Sequence, residues 1–276
     1  MQFESATDFR RSLETRLKNK AREEQKDLQR LRRQVAFDRL LARLFHSGEP
    51  PFVLKGGYAM ELRLATARAT KDLDLTTLLR SIDRVHEELA ELAAIDLGDY
   101  FVYEIDRPRM KLENAPYGGA RFPVIAQVDA RPFVQFHLDV GADIVIESTE
   151  NLEGADWLGY CGVKPPIISM ISVEQQLAEK LHAYTRPHHK SGHNTRVKDL
   201  VDILLLLRRR KLEPASCKTV WERVFRVRGS HSLPTVLPPP PEQWTQPFAA
   251  IARECGLTID LSQALKEVQK IYASLV

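Results

Sequence analysis

Residues 52–77 read FVLKGGYAMELRLATARATKDLDLTT, and this stretch decides the fold. Phe52, Val53 and Leu54 form a short apolar run suited to a strand, Lys55-Gly56-Gly57 is a turn, and Tyr58 to Leu64 reads as a helix. Further on, Leu73 and Leu75 alternate with Asp72 and Asp74, which is strand periodicity. Residues two apart on a strand share a face, so Asp72 and Asp74 point one way while the leucines turn to a core. Paired glycines allow positive φ and close backbone approach, and the N–H groups of such a turn can cradle phosphates. Two carboxylates on one face are a half-site for a hard divalent cation, which takes oxygen ligands and shares them with substrate phosphates. Either motif alone is more often a plain turn or a solvated face. The succession strand, Gly-Gly, helix, a further DxD strand is far more specific.

Outward from this block, a third carboxylate is expected on a neighbouring strand. Asp139, flanked by Leu138 and Val140, is the first candidate, with Asp129 and Asp143 as rivals. The N-terminal side, residues 6–46, carries helical spacing at Phe9, Leu13 and Leu17, then at Leu28, Leu31, Val35, Leu40, Leu41 and Leu44. The polar stretch between them is a solvated helix or a break. Residues 81–95 read as an amphipathic helix through Ile82, Val85, Leu89 and Leu92, and 100–146 as strands and turns. After about residue 165 the texture becomes helical, and Pro238–Pro241 reads as an extended surface linker before a last helical pair. The expected class is α/β (α+β): a mixed sheet with flanking helices over 1–160, and a helical C-terminal domain over 161–276 that completes an active cleft.

The composition is that of an ordinary globular protein, with 43% hydrophobic and 28% charged residues. No apolar run is long enough for a membrane span, and the N-terminus lacks the order of a signal peptide, so a cytoplasmic protein with no membrane partner is expected. Cys161, Cys217 and Cys255 are too scattered for a disulfide framework or a zinc knuckle. Charge is unevenly spread: 12 Lys/Arg against 7 Asp/Glu over 1–45, 13 against 22 over 46–181, and 12 against 4 over 182–232. The acidic middle suits metal ions and the basic segment suits phosphates. In that segment lie Arg186, Lys190, Arg196 and Lys198, then the run Arg208, Arg209, Arg210. Lys180 lies beside an apolar helical face, and spacing alone makes it an ordinary surface lysine.

The order LKGG, then R-x-T-x-D-x-D, then LDV, then AEKL and KDxxD resembles the AbiEii/AbiGii toxin family, nucleotidyltransferase-like toxins related to the DNA polymerase β superfamily. The resemblance spans roughly residues 50–210. It implies a polymerase β-type core and a metal-dependent nucleotidyltransferase using Mg²⁺ or Mn²⁺ and an NTP. Gly56 and Gly57 fall on the family's glycine turn, Asp72 and Asp74 on its metal pair, and Arg68 and Thr70 on the run before that pair. Lys180 falls on the lysine expected at the nucleotide phosphates, and Asp199 and Asp202 on the block of which one member is expected to complete the site. Thr70 is also a candidate phosphorylation site. The resemblance further implies transfer to an RNA 3′ end, with tRNA as acceptor, and a cognate antitoxin encoded nearby.

Overall fold

The computed structural model describes residues 2–276 except 47, 49, 65, 109, 113–117, 143–145, 188–195 and 210–211, and describes 111 and 209 by backbone alone. The elements in chain order are α1 (Ala6–Glu23), α2 (Leu28–Leu44), β1 (Phe52–Lys55), α3 (Gly56–Arg63), β2 (Asp72–Thr77), α4 (Ile82–Ala93), β3 (Phe101–Ile105), β4 (Met110–Lys111), β5 (Gly119–Val128) and β6 (Arg131–Ala142). There follow β7 (Thr149–Glu153), β8 (Ile167–Ile171), α5 (Val173–Thr185), α6 (Val197–Arg209), α7 (Pro214–Arg228), α8 (Thr245–Glu254) and α9 (Leu261–Ala273). Among the described residues no helix is long and apolar enough to cross a membrane.

The polar N-terminal stretch is both of the things its sequence allowed. Ser5 caps α1 by accepting from the Asp8 N–H, and the helix continues through the polar residues to Glu23, burying Phe9, Leu13 and Leu17. The break comes at 24–27, where Gln25 adopts φ +51° and Asp27 accepts from the Arg30 N–H to cap α2.

The chain divides into two compact units. The first comprises residues 1–62, 69–144 and 150–170; the second comprises 63–68, 145–149 and 171–276. Residues 161–170 therefore pack with the first unit, past the expected boundary at 160. The reason is β8: its IISMI run lies in the stretch whose texture reads as helical, yet it is a strand beside β1, with Leu54 paired to Met170.

In the first unit the sheet runs β3-β5-β6-β2-β1-β8-β7, with β4 also on β5. It is mixed, since β2 is parallel to β6 and antiparallel to β1. Inward residues of β5 and β6, such as Phe122, Val124, Leu138 and Val140, join Phe9, Leu13, Val35, Phe37 and Leu40 of the helices in one apolar core. Two acidic groups are buried with it. Asp99 is met by Arg39 Nε at 2.6 Å and Arg43 Nη2 at 2.6 Å, which outweigh the opposing effect of burial and hold its carboxyl below the usual range.

Among the described residues Asp38 has no such cation in hydrogen-bond contact. Burial pushes its carboxyl up to about 7, although the Tyr58 hydroxyl donates to it at 2.6 Å and the Ala155 N–H at 3.0 Å. A folded-state value above the unfolded one means the contribution to stability is full at acid pH and is lost as pH rises towards 7. The urea midpoint of the wild type is thus expected to carry a decline between about pH 4 and pH 7 that Asp38→Asn, which cannot ionise, does not share. Equal slopes for the two proteins would show that Asp38 is not the group responsible.

The second unit is helical. α6 buries Leu200, Val201, Ile203, Leu204, Leu205 and Leu206, while Trp221 of α7 stacks on Tyr272 of α9 with ring centroids 5.6 Å apart. The proline run, extended at Pro241, is anchored where it begins rather than loose there. The Tyr184 hydroxyl donates to the Pro238 carbonyl at 2.6 Å and the Gln269 amide to the Leu237 carbonyl at 2.8 Å.

Candidate active site

On β2, Leu73 and Leu75 are fully buried while Asp72 and Asp74 occupy the other face. Parallel pairing to β6 sets Asp72 opposite His137 and Asp74 opposite Asp139; antiparallel pairing to β1 sets Lys55 opposite Asp74. One further strand away, Arg121 of β5 is opposite Asp139. A single row across four strands therefore reads Arg121, Asp139, Asp74, Lys55.

The glycine turn is built against this row. Gly56 begins α3 at φ +69°, and a Cβ there would lie 2.1 Å from Asp74 Oδ2. The Gly57 N–H donates to the same oxygen at 3.3 Å, and a Cβ on Gly57 would lie 2.7 Å from Thr70 Oγ1. Both glycines are there because carboxylate and hydroxyl fill the space a side chain would need. The turn expected before the helix is in fact the helix's first residues, so its N–H groups point along the helix start.

Thr70 is nearly buried. Its hydroxyl donates to the Asp72 carbonyl at 3.1 Å, and its N–H donates to Glu61 Oε1 at 2.7 Å. The other oxygen of Glu61 accepts from Arg30 Nη2 at 3.0 Å and from the Gln34 amide at 2.6 Å. α2 thus anchors α3, and α3 anchors the segment leading into the aspartates. Sequence reasoning passed over Glu61. The available signal was its position one helical turn beyond Gly57, on the same side of α3.

Arg121 and His137 were also missed. Arg121 donates through Nε to Asp139 Oδ1 at 2.8 Å and through Nη2 to Asp139 Oδ2 at 2.7 Å, and its Nη2 lies 3.5 Å from Asp72 Oδ2. The hydrogen bonds to Asp139 hold the guanidinium's pKa above its usual value. His137 Nδ1 is 3.5 Å from Asp72 Oδ1. Alternation on a strand shows which face a residue takes, but not which strand lies beside it.

The carboxylates on this face differ in what they can offer a cation. Asp72 and Asp74 suit one or two hard oxygen ligand positions, the remainder being met by water and phosphate. Asp139, expected as a third ligand, is in the right row, but each of its oxygens takes a bond from Arg121. No group of three His, Cys, Asp or Glu side chains forms a metal cluster among the described residues. Of its rivals, Asp129 sits at φ +56° in the tight turn between β5 and β6 and bonds Thr7 and Arg131, while Asp143 lies outside the described residues.

The remaining expected residues assemble within the second unit. Lys180 Nζ is 3.0 Å from Asp199 Oδ1 and 2.8 Å from Asp202 Oδ2, and Arg68 Nη2 is 3.0 Å from Asp202 Oδ2. Burial works against the Lys180 charge, but Asp202 and Asp199 outweigh it and hold the pKa above the ordinary lysine value. The surface lysine suggested by spacing is instead the centre of a buried network, and Asp199 and Asp202 both spend oxygens on it. Of the basic residues, Arg186 and Lys198 are exposed, Arg196 is 3.8 Å from Asp199, and Arg208 makes a two-pronged pair with Glu267 at 2.6 and 2.7 Å. Lys190, Arg210 and the side chain of Arg209 lie outside the described residues.

The model of the family described as nucleotidyl transferase AbiEii toxin, type IV toxin–antitoxin system, matches residues 39–273. Among solved structures, the chain resembles MenT4, a nucleotidyltransferase toxin from Mycobacterium tuberculosis H37Rv, at a TM-score of 0.56 and 18% identity, over 88% of this chain and 91% of that one. JHP933 from Helicobacter pylori follows at a TM-score of 0.48 and 12% identity, over 86% of this chain and 89% of that one. No curated protein gives a significant match.

Proposed function

Since the chain belongs to the AbiEii family of nucleotidyltransferase toxins, we propose that it transfers a nucleoside monophosphate from an NTP to an RNA 3′ end, the acceptor end of tRNA, and so blocks translation. The observation that carries this reading is the pairing of Asp72 and Asp74 on one face of β2 with a glycine turn whose N–H donates to Asp74.

The 3′-hydroxyl oxygen attacks the α-phosphorus, the bond from that phosphorus to the β-phosphate bridge breaks, pyrophosphate leaves, and the hydroxyl proton passes to solvent. Asp72 and Asp74 would hold Mg²⁺ or Mn²⁺, which supplies charge neutralisation at the phosphates. The chain's own part is positioning: the Gly57 N–H and the row opposite fix Asp74, and the Glu61–Thr70 link fixes the backbone at Asp72. Lys180, on the family's AEKL motif, is assigned to the triphosphate. Asp199 or Asp202 is assigned to completing the site, each on the strength of its motif position. RNA as acceptor is supported by the excess of Lys and Arg over 182–232. The cellular setting that follows is the cytoplasm, with a cognate antitoxin as protein partner.

Purified protein incubated with total RNA, Mg²⁺ and each α-³²P-labelled NTP is expected to label tRNA-sized RNA with one nucleotide, and Asp72→Ala is expected to abolish the label. Label on protein or a small molecule instead of RNA would refute the RNA acceptor while keeping the transferase. Label retained by Asp72→Ala would remove Asp72 from the site.

A further inference from the structure

Arg121, paired with the Asp139 of the LDV motif, is the part of the carboxylate face that no motif explains. We propose that Arg121 binds a phosphate of the incoming nucleotide, and that Asp139 serves to orient it rather than to ligate a metal ion. This rests on the reading of the face as an NTP site.

The geometry separates the two roles. Asp139 engages Nε and Nη2, the two donors along one edge of the guanidinium, and so fixes its plane. Among the described residues Nη1 has no partner, and the side chain is 30% exposed against 14% for Asp139, so the fork's remaining donors are open to a ligand. The guanidinium also stands 3.5 Å from Asp72 Oδ2, too far to consume that oxygen but close enough to share its field. A cation ligated by Asp139 would have to share oxygens that each already accept a bond from Arg121, and would sit against that positive charge. An anion meets no such conflict: a phosphate oxygen is attracted both by the Arg121 donors and by any metal ion held at Asp72 and Asp74. Arginine suits this task better than lysine because its planar fork matches phosphate oxygens in pairs.

The test separates cation binding from nucleotide binding. Mn²⁺ is titrated by electron paramagnetic resonance. Tripolyphosphate and each of the four NTPs are titrated calorimetrically with Mg²⁺ and without RNA. Arg121→Gln is expected to bind Mn²⁺ at least as tightly as wild type, because a positive charge near Asp72 is gone. The same variant should bind nucleotide about 10- to 100-fold more weakly, the scale of a lost charge-assisted hydrogen bond. Arg121→Lys should fall between, keeping charge without the fork. Asp139→Asn should keep Mn²⁺ affinity and lose nucleotide affinity several-fold, whereas Asp72→Asn should lose Mn²⁺. A purely structural pair would move both affinities together with the melting temperature. The proposal is overturned if Asp139→Asn loses Mn²⁺ as Asp72→Asn does, or if Arg121→Gln binds the nucleotide as tightly as a wild type that binds it well. A wild type that binds no nucleotide at all would overturn the NTP reading, and this inference with it.

Discussion

Gly56→Ala is expected to lower nucleotidyl transfer by at least about 100-fold while leaving a folded protein, since displacing a reacting group by roughly 1 Å is enough to cost that much. The added methyl would start 2.1 Å from Asp74 Oδ2, 2.5 Å from its Cγ and 2.6 Å from its Cβ, so either the carboxylate or the start of α3 must move. If the carboxylate moves, it leaves the Gly57 N–H that orients it. The left-handed backbone of Gly56 adds about 1–2 kcal/mol of strain for any other residue. Gly98 separates the two effects: it too has positive φ, at +63°, but nothing lies within 4 Å of the position its Cβ would take. Gly98→Ala should therefore incur the backbone strain and keep activity. Measured transfer rates and urea midpoints for both variants decide the matter. A Gly56→Ala enzyme as active as Gly98→Ala would show that Asp74 does not need its present position.

Lys180→Met is expected to destabilise the second unit by about 3–5 kcal/mol, the range for removing one partner from a buried charge network. Asp199 and Asp202 are 8% and 0% exposed, and Lys180 bridges them. Without it Asp202 retains Arg68 at 3.0 Å, while Asp199 is left with Arg196 at 3.8 Å. Lys180→Arg, which keeps a charge and adds donors, should lose much less. The readout is the denaturant midpoint followed by tryptophan fluorescence, as Trp221 and Trp244 are buried in the same unit. A Lys180→Met protein as stable as wild type would mean the network contributes nothing net. A loss of transfer by this variant counts towards the assigned phosphate role only when measured below its unfolding transition.

Much of the candidate site's local geometry was legible because its pattern is local. Strand alternation places Asp72 and Asp74 on one face, and the paired glycines mark a strand-to-helix junction that allows close backbone approach; both follow from dihedral preferences and periods of a few residues. The same locality explains what was misjudged. The IISMI run of β8 is apolar and short, and short apolar runs do not distinguish a strand from a buried helix without knowing what pairs with them. Lys180 looked like a surface residue because its partners lie 19 and 22 positions further on, on the next helix.

By itself, then, the sequence determined the strand–glycine–helix–strand succession, the carboxylate pair and, through its motifs, the AbiEii family. Tertiary structure alone decided the electrostatic setting of that pair. Pairing of β5 with β6 puts Arg121 against Asp139, parallel pairing of β6 with β2 brings Asp139 level with Asp74, and the packing of α2 carries Arg30 and Gln34 to Glu61. Such contacts depend on strand register and helix docking, which the whole core selects by burying its apolar faces together, and a charged residue's neighbours across strands are a consequence of that selection rather than of its own local sequence.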